Sequence, residues 1–187
     1  MAQRSPERAI SALQAAILAS AMVYFRIIVI IWAVNPAFLP LVWWKLLVLS
    51  LLGVGLALTL GRTHQRADSS EFDTLQNPFE IRPAVVFAVV FVILTIITAF
   101  VKQTVGETGL VGLAAIVGVS DITPFILSIV QTPDGTSGLI VAAIIVSIMS
   151  NVVAKGAYFM WFSPSTRKQT LIRFGLWALL HIPVILI

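Results

Sequence analysis

The sequence predicts an all-α fold: a polytopic helical membrane protein with about six transmembrane helices and a candidate parallel internal repeat. Three observations predict it. Hydrophobic residues make up 59% of the 187-residue chain and charged residues 11%, with a mean hydropathy of +1.01, which leaves too little polar surface for a soluble globule. Apolar stretches recur at about the 20 residues needed to cross a hydrocarbon layer roughly 30 Å thick. In lipid each stretch must satisfy its own backbone amides, so each reads as a helix rather than an open strand. The whole chain, 1–187, is taken as one helical membrane domain.

The elements follow in order. The start, Met1 to Arg8, leads into the first span, Ala9 to Val34. No small-residue cleavage pattern closes that span, so it reads as a retained anchor rather than a signal peptide. Asn35-Pro36 through Pro40 ends it, because proline cannot continue a helix and restricts the residue before it. The second span is Leu41 to Leu60. A polar loop over 61–82 follows, carrying Arg62, His64, Arg66, Asp68, Glu71, Asp73, Glu80 and Arg82; its near-balanced charge reads as a solvated connector. The remaining spans are Pro83 to Val101, Gly109 to Val130, Gly138 to Phe162 and Gln169 to Ile187. Pro133-Asp134-Gly135 marks a tight turn and Ser163-Pro164-Ser165 ends the fifth span.

Charge and composition narrow the function classes. The net charge of +4 and the pI near 10.0 come from basic residues at segment ends, with no interleaved aromatic run, so they read as loop charge beside anionic lipid and not as a nucleic-acid surface. Cysteine is absent, which excludes thiol catalysis, disulfides and thiolate metal sites. Arg4, Arg8, Arg62, Arg66 and Arg82 share one side; Lys45, Lys102, Arg167 and Lys168 share the other. That bias places both termini in the cytoplasm. Trp32, Trp43, Trp44 and Trp161 then read as an interfacial belt on the opposite face, and Lys45 as a snorkelling cation. No phosphate-cradling loop, HExxH or nucleophile elbow is present, so no enzyme and no cofactor is implied.

One repeat is visible. Ala15 to Met22 in the first span echoes Ala142 to Met149 in the fifth, and a cation follows each, Arg26 and Lys155. Six crossings would make these two helices run the same way, a parallel repeat.

The functional signal is Asp121. An ionisable side chain at bilayer depth is disfavoured by roughly 2.5–3.5 kcal/mol on insertion scales and normally faces a partner or a wet cavity. Pro124, three residues on, removes a backbone donor and predicts an opened helix there. Counting about 1.5 Å per helical residue from the face where the fourth span begins puts Asp121, Asn151 and His181 about 17–18 Å deep, and Arg26 and Lys155 about 10–12 Å deep. The candidate ion or substrate site is therefore Asp121, Thr123, Asn151, Ser150 and His181, with Arg26 and Lys155 as charge partners. The bland readings stand beside it. Asn151, Ser147 and Ser150 also suit interhelical hydrogen bonding, His181 suits capping near Pro183, and Gly109, Gly112, Ala115 and Gly118 suit close helix packing.

Asn77-Pro78-Phe79-Glu80-Ile81-Arg82-Pro83-Ala84, Gly109-Leu110, Gly118-Val119-Ser120-Asp121, Leu127-Ser128, and Asn151 with Lys155, together with Ser20 and Arg26, resemble the C-terminal membrane domain of unknown function of long MgtC/SapB-family proteins. The resemblance runs from about Ile10 onward. It implies a bacterial plasma membrane protein; the MgtC-type domain that usually precedes this one is not seen here. Thr123 stands where the family pattern often has a second Asp, and Pro124 where a small residue is usual. Two function classes follow: a small transporter or channel-like permease for an ion or small solute, or a non-transporting subunit packing against an MgtC-like or other membrane partner. Either class contacts the lipid bilayer, and a homo-oligomer or a complex with another membrane protein is expected.

Overall fold

A computed structural model of the chain describes residues 6–60, 81–131 and 138–187. Most of the expected polar loop and the turn around Asp134 lie outside the described residues. All regular structure among the described residues is helical. Helix α1 spans Pro6–Val34, α2 Leu39–Leu58, α3 Ile81–Thr104, α4 Glu107–Val117, α5 Thr123–Val130, α6 Gly138–Phe162 and α7 Arg167–Leu186. Five stretches, Ala9–Val34, Pro36–Leu58, Val85–Thr104, Gly138–Phe162 and Pro164–Leu186, are long and apolar enough to cross a membrane.

The fourth apolar stretch is different. Sequence reading takes Gly109 to Val130 as one span, but the chain divides it into α4 and α5, of 11 and 8 residues. At about 1.5 Å per residue these are roughly 16 and 12 Å long, so neither crosses about 30 Å of hydrocarbon. Pro124 in the first turn of α5 marks the opening as expected, since it cannot donate the amide that would continue α4 into α5.

The two short helices form a hairpin. At the tip, Arg26 in α1 donates from Nη2 to Thr123 Oγ1 at 3.0 Å. Seven residues after Thr123, the Val130 carbonyl accepts from Asn35 Nδ2, just beyond the end of α1, at 2.9 Å. Helix α5 therefore runs alongside the last third of α1, in the same direction, and finishes at the end of the bundle where α1 finishes. Helix α4 reaches the tip from that same end. Its start follows α3 through Gly106, whose φ of +80° is the only positive value among the described residues, as a two-residue reversal between helices requires.

Helices α1 and α6 run in opposite directions. Ala9 and Ala12, at the start of α1, line one cavity with Phe162, Ser163 and Pro164, at the end of α6. The parallel repeat expected from sequence is thus corrected: with α4 and α5 returning to one end, α6 starts from that end, and the related helices are inverted. The likeness extends past the helices. Asn35 and Ser163 each take an extended conformation before a proline, with φ/ψ of −145/82° and −128/76°, and each leads into a three-residue 3₁₀ turn and then the next helix. Proline at the next position disfavours helical backbone and sets both corners.

The core lies between α1, α2, α4, α5, α6 and α7, around Tyr24, Leu49, Ala114, Phe125, Ile144 and Trp177. Helix α3 stands outside it, with most of Val85 to Phe100 exposed. Its buried exception, Thr98, meets Ser128 of α5 oxygen to oxygen at 3.1 Å. Two readings of side chains at the membrane faces change. Lys45 does not snorkel; it is buried, with Nζ 5.6 Å from the centre of the Trp44 ring, a cation–π arrangement. Trp161, on α6, stands at the opposite end of the bundle from Trp32, Trp43 and Trp44, so the tryptophans mark two faces rather than one belt.

Candidate functional site

The break between α4 and α5 frees backbone groups that lipid cannot satisfy. Side chains of α6 take them up. Asn151 donates both Nδ2 hydrogens across the tip, to Gly118 O at 3.0 Å and Ser120 O at 2.9 Å. Ser150 Oγ donates to Ala115 O at 2.6 Å. The tip sits directly on α6: a Cβ on Gly118 would overlap the Ser147 carbonyl oxygen and the Ser150 side chain. Of the small residues read as a packing row, Gly118 packs on α6 and Gly109 packs on Val101 and Val105, while Gly112 faces open space.

On the α5 side of the tip, Asp121 accepts from the Thr123 amide at 2.9 Å through Oδ1. This Asx turn satisfies one of the unpaired amides that open α5. Arg26 holds the Thr123 hydroxyl from α1. Asp121 and Arg26 are both exposed on the chain and Lys155 is half-buried. Together with Val23, Ser120, Ile122 and Asn151 they line a cavity of about 340 Å³, and Lys155 is near enough to interact electrostatically with both Arg26 and Asp121.

The expected site is thus assembled in part. Asp121, Thr123, Asn151, Ser150, Arg26 and Lys155 meet at the hairpin tip, but Asn151 and Ser150 act there as anchors of the backbone. The two cations approach from different levels. Counted from the end where α1 finishes and α6 starts, Arg26 lies about 12 Å in and Lys155 about 26 Å in, because α6 is inverted relative to the direction assumed from sequence. His181 is not at this cavity. It is buried between α1 and α7, with Nε2 2.8 Å from Tyr24 Oη and Nδ1 2.7 Å from the Trp177 carbonyl. Depth counting brought it to Asp121 because it assumed the opposite direction for α7; with α7 inverted, His181 lies roughly 8 Å from the end where α1 finishes.

Sequence reasoning missed Tyr24 and Asn35. Tyr24 carries a phenolic hydroxyl in an apolar helix, and such a group needs a hydrogen-bond partner when buried. Asn35 reads as a helix terminator before Pro36, which hides its second use as a clamp on α5. Among the described residues, no group of three or more His, Asp or Glu side chains could hold a metal ion.

Comparison with known proteins gives a family and no activity. An uncharacterized protein of Aquifex aeolicus (strain VF5) is 27% identical over 117 residues, 61% of this chain and 51% of that protein, so the match spans about half the length of that relative. No solved structure matches. A family model described as "Domain of unknown function (DUF4010)" matches residues 1–163, and its description names no MgtC/SapB protein. The match covers most of the chain, from the first residue through α6, and on that extent the protein belongs to the DUF4010 family.

Proposed function

We propose that the chain is a small integral-membrane transporter or channel-like permease for an ion or small solute, with its site at the hairpin tip around Asp121. The observation that carries this reading is the tip itself. A broken helix pair ends halfway along the bundle beside a polar cavity that holds a carboxylate and two cations. Irregular backbone at membrane depth is tolerated where it is buried in protein or lines a water-filled cavity, and transporters build their sites from such broken helices at the interface of inverted repeats. The inverted relation of α1–α2 to α6–α7 supports the same reading.

In this reading the chain crosses the membrane of a bacterial cell five times and the α4–α5 hairpin is re-entrant. The two termini then lie on opposite faces, in place of the two cytoplasmic termini that the arginine count favours. Flux measured in proteoliposomes, with Asp121→Asn and Arg26→Gln beside the unaltered chain, tests the proposal. Loss of flux in folded variants supports it; flux that ignores both changes removes its basis.

The second reading is a non-transporting subunit that packs against an MgtC-like or other membrane protein. The exposure of Arg26 and Asp121 favours it, because charges at this depth call for cover. Assembly, as a homo-oligomer or with such a partner, is part of both readings, and the uncovered apolar face of α3 is a surface suited to it. A single-chain particle in native nanodiscs that retains the activity would remove assembly from the account.

A further inference from the structure

We infer that the cavity at the hairpin tip binds a small monovalent anion, with Arg26 and Lys155 as its cationic ligands. The inference rests on the permease reading for its site and names the chemical class of the solute.

Charge at the cavity is unbalanced. Arg26 and Lys155 are two cations against one carboxylate, Asp121, and the other lining residues, Val23, Ser120, Ile122 and Asn151, are neutral. The carboxylate is also partly committed, since Oδ1 caps the Thr123 amide. The positive end of the α5 dipole lies at the same place and adds to the excess. One unmatched positive charge therefore remains at membrane depth, where a lone cation is disfavoured by roughly 2.5–3.5 kcal/mol.

Three occupants could answer that charge: a cation, a second copy of the chain, or an anion. A metal or alkali cation would add to the positive excess, and the tip carbonyls that would coordinate it, those of Gly118 and Ser120, already accept from Asn151. A second copy closing the cavity about a twofold axis would bring its own Arg26 and Lys155 and double the excess. Among the residues whose side chains are described, its one carboxylate besides Asp121 is Glu107, in the first turn of α4 at the far end of that helix from the tip. An anion neutralises the site outright. Only one guanidinium nitrogen, Nη2, is engaged by Thr123, and the guanidinium carries five N–H donors in a fork that matches a carboxylate. The cavity volume of about 340 Å³ admits a halide, formate or acetate.

The test is equilibrium binding on the whole protein in zwitterionic phosphatidylcholine nanodiscs, followed by thermal shift. Chloride and acetate are titrated into a low-salt HEPES buffer, with sodium and then choline as counter-cation. Saturable stabilisation by chloride or acetate, the same with either counter-cation, is the expected result. Arg26→Gln should weaken it by about tenfold or more, since a charge-assisted contact is lost; Lys155→Gln supplies the same test if Arg26→Gln misfolds. Asp121→Asn is the discriminating variant. Asparagine can still cap the Thr123 amide, and removal of the negative charge should leave anion binding unchanged or tighter. Stabilisation that follows sodium, or that Asp121→Asn abolishes, overturns the inference. So does a response to added phosphatidylglycerol with none to chloride or acetate, which would assign the cations to lipid. Anion binding without flux sinks the permease reading and leaves this inference standing; cation flux without an anion effect does the reverse.

Discussion

Tyr24 of α1 and His181 of α7 meet through a 2.8 Å contact between Oη and Nε2, with both side chains fully buried. The contact ties the first long helix to the last, and Trp177 packs beside it with its ring tilted, its centre 5.5 Å from that of Tyr24 and 6.5 Å from that of His181. His181 is satisfied at both nitrogens, the second by the Trp177 carbonyl. Its role is to join helices. Tyr24→Phe should therefore lower stability by about 1–3 kcal/mol, because it strands a buried imidazole nitrogen, while flux per folded molecule stays as it was. Thermal unfolding and flux on the same preparation check this; lost flux at unchanged stability would return His181 to the transport path.

Two pairs of glycines on shared helices make a contrast. Gly118→Ala should push the hairpin tip off α6, and Gly53→Ala should displace the Trp177 indole, whose Nε1 donates to Leu49 O at 3.0 Å. Overpacking of this kind costs about 1–3 kcal/mol. Gly112→Ala and Gly55→Ala meet nothing within 4 Å and should be neutral or slightly stabilising, since alanine is the better helix former. Unfolding midpoints of the four variants decide it. Equal effects within each pair would contradict the packing described for the tip and for Trp177.

Five crossings with a re-entrant hairpin predict that positions 68 and 134 lie on opposite faces. Six crossings would put them on the same face. The native chain has no cysteine, so single cysteines at Asp68 and Asp134 can be labelled cleanly with an impermeant reagent in intact cells. Labelling of one position and not the other is the expected outcome; labelling of both, or of neither until the cells are opened, restores six crossings.

Much of this architecture is legible in the sequence, and the physical reasons are specific. Lipid forces every apolar stretch of about 20 residues into a helix, so the long helices follow from hydropathy alone, and Pro36, Pro124 and Pro164 mark the corners because proline acts locally. Asp121, Asn151, Arg26 and Lys155 are found by their cost in an apolar setting. What hydropathy does not carry is direction. Gly109 to Val130 has the composition of a span, and only the contacts of Thr123 with Arg26 and of Val130 with Asn35 reveal that it turns back. That one reversal inverts α6 and α7, converts the parallel repeat into an inverted one, and carries His181 to Tyr24 instead of Asp121.

We propose that Asp121 works at a transport site and does not merely hold the fold. The most direct measurement is flux in proteoliposomes together with thermal stability, on the same purified Asp121→Asn protein. Asparagine keeps the shape and the cap on Thr123, so the unfolding midpoint should stay near that of the unaltered chain. Flux should fall by about tenfold or more, because the charge that balances Arg26 and Lys155 during solute release is gone. Unchanged flux with lowered stability would mean that Asp121 is structural, and would contradict the account.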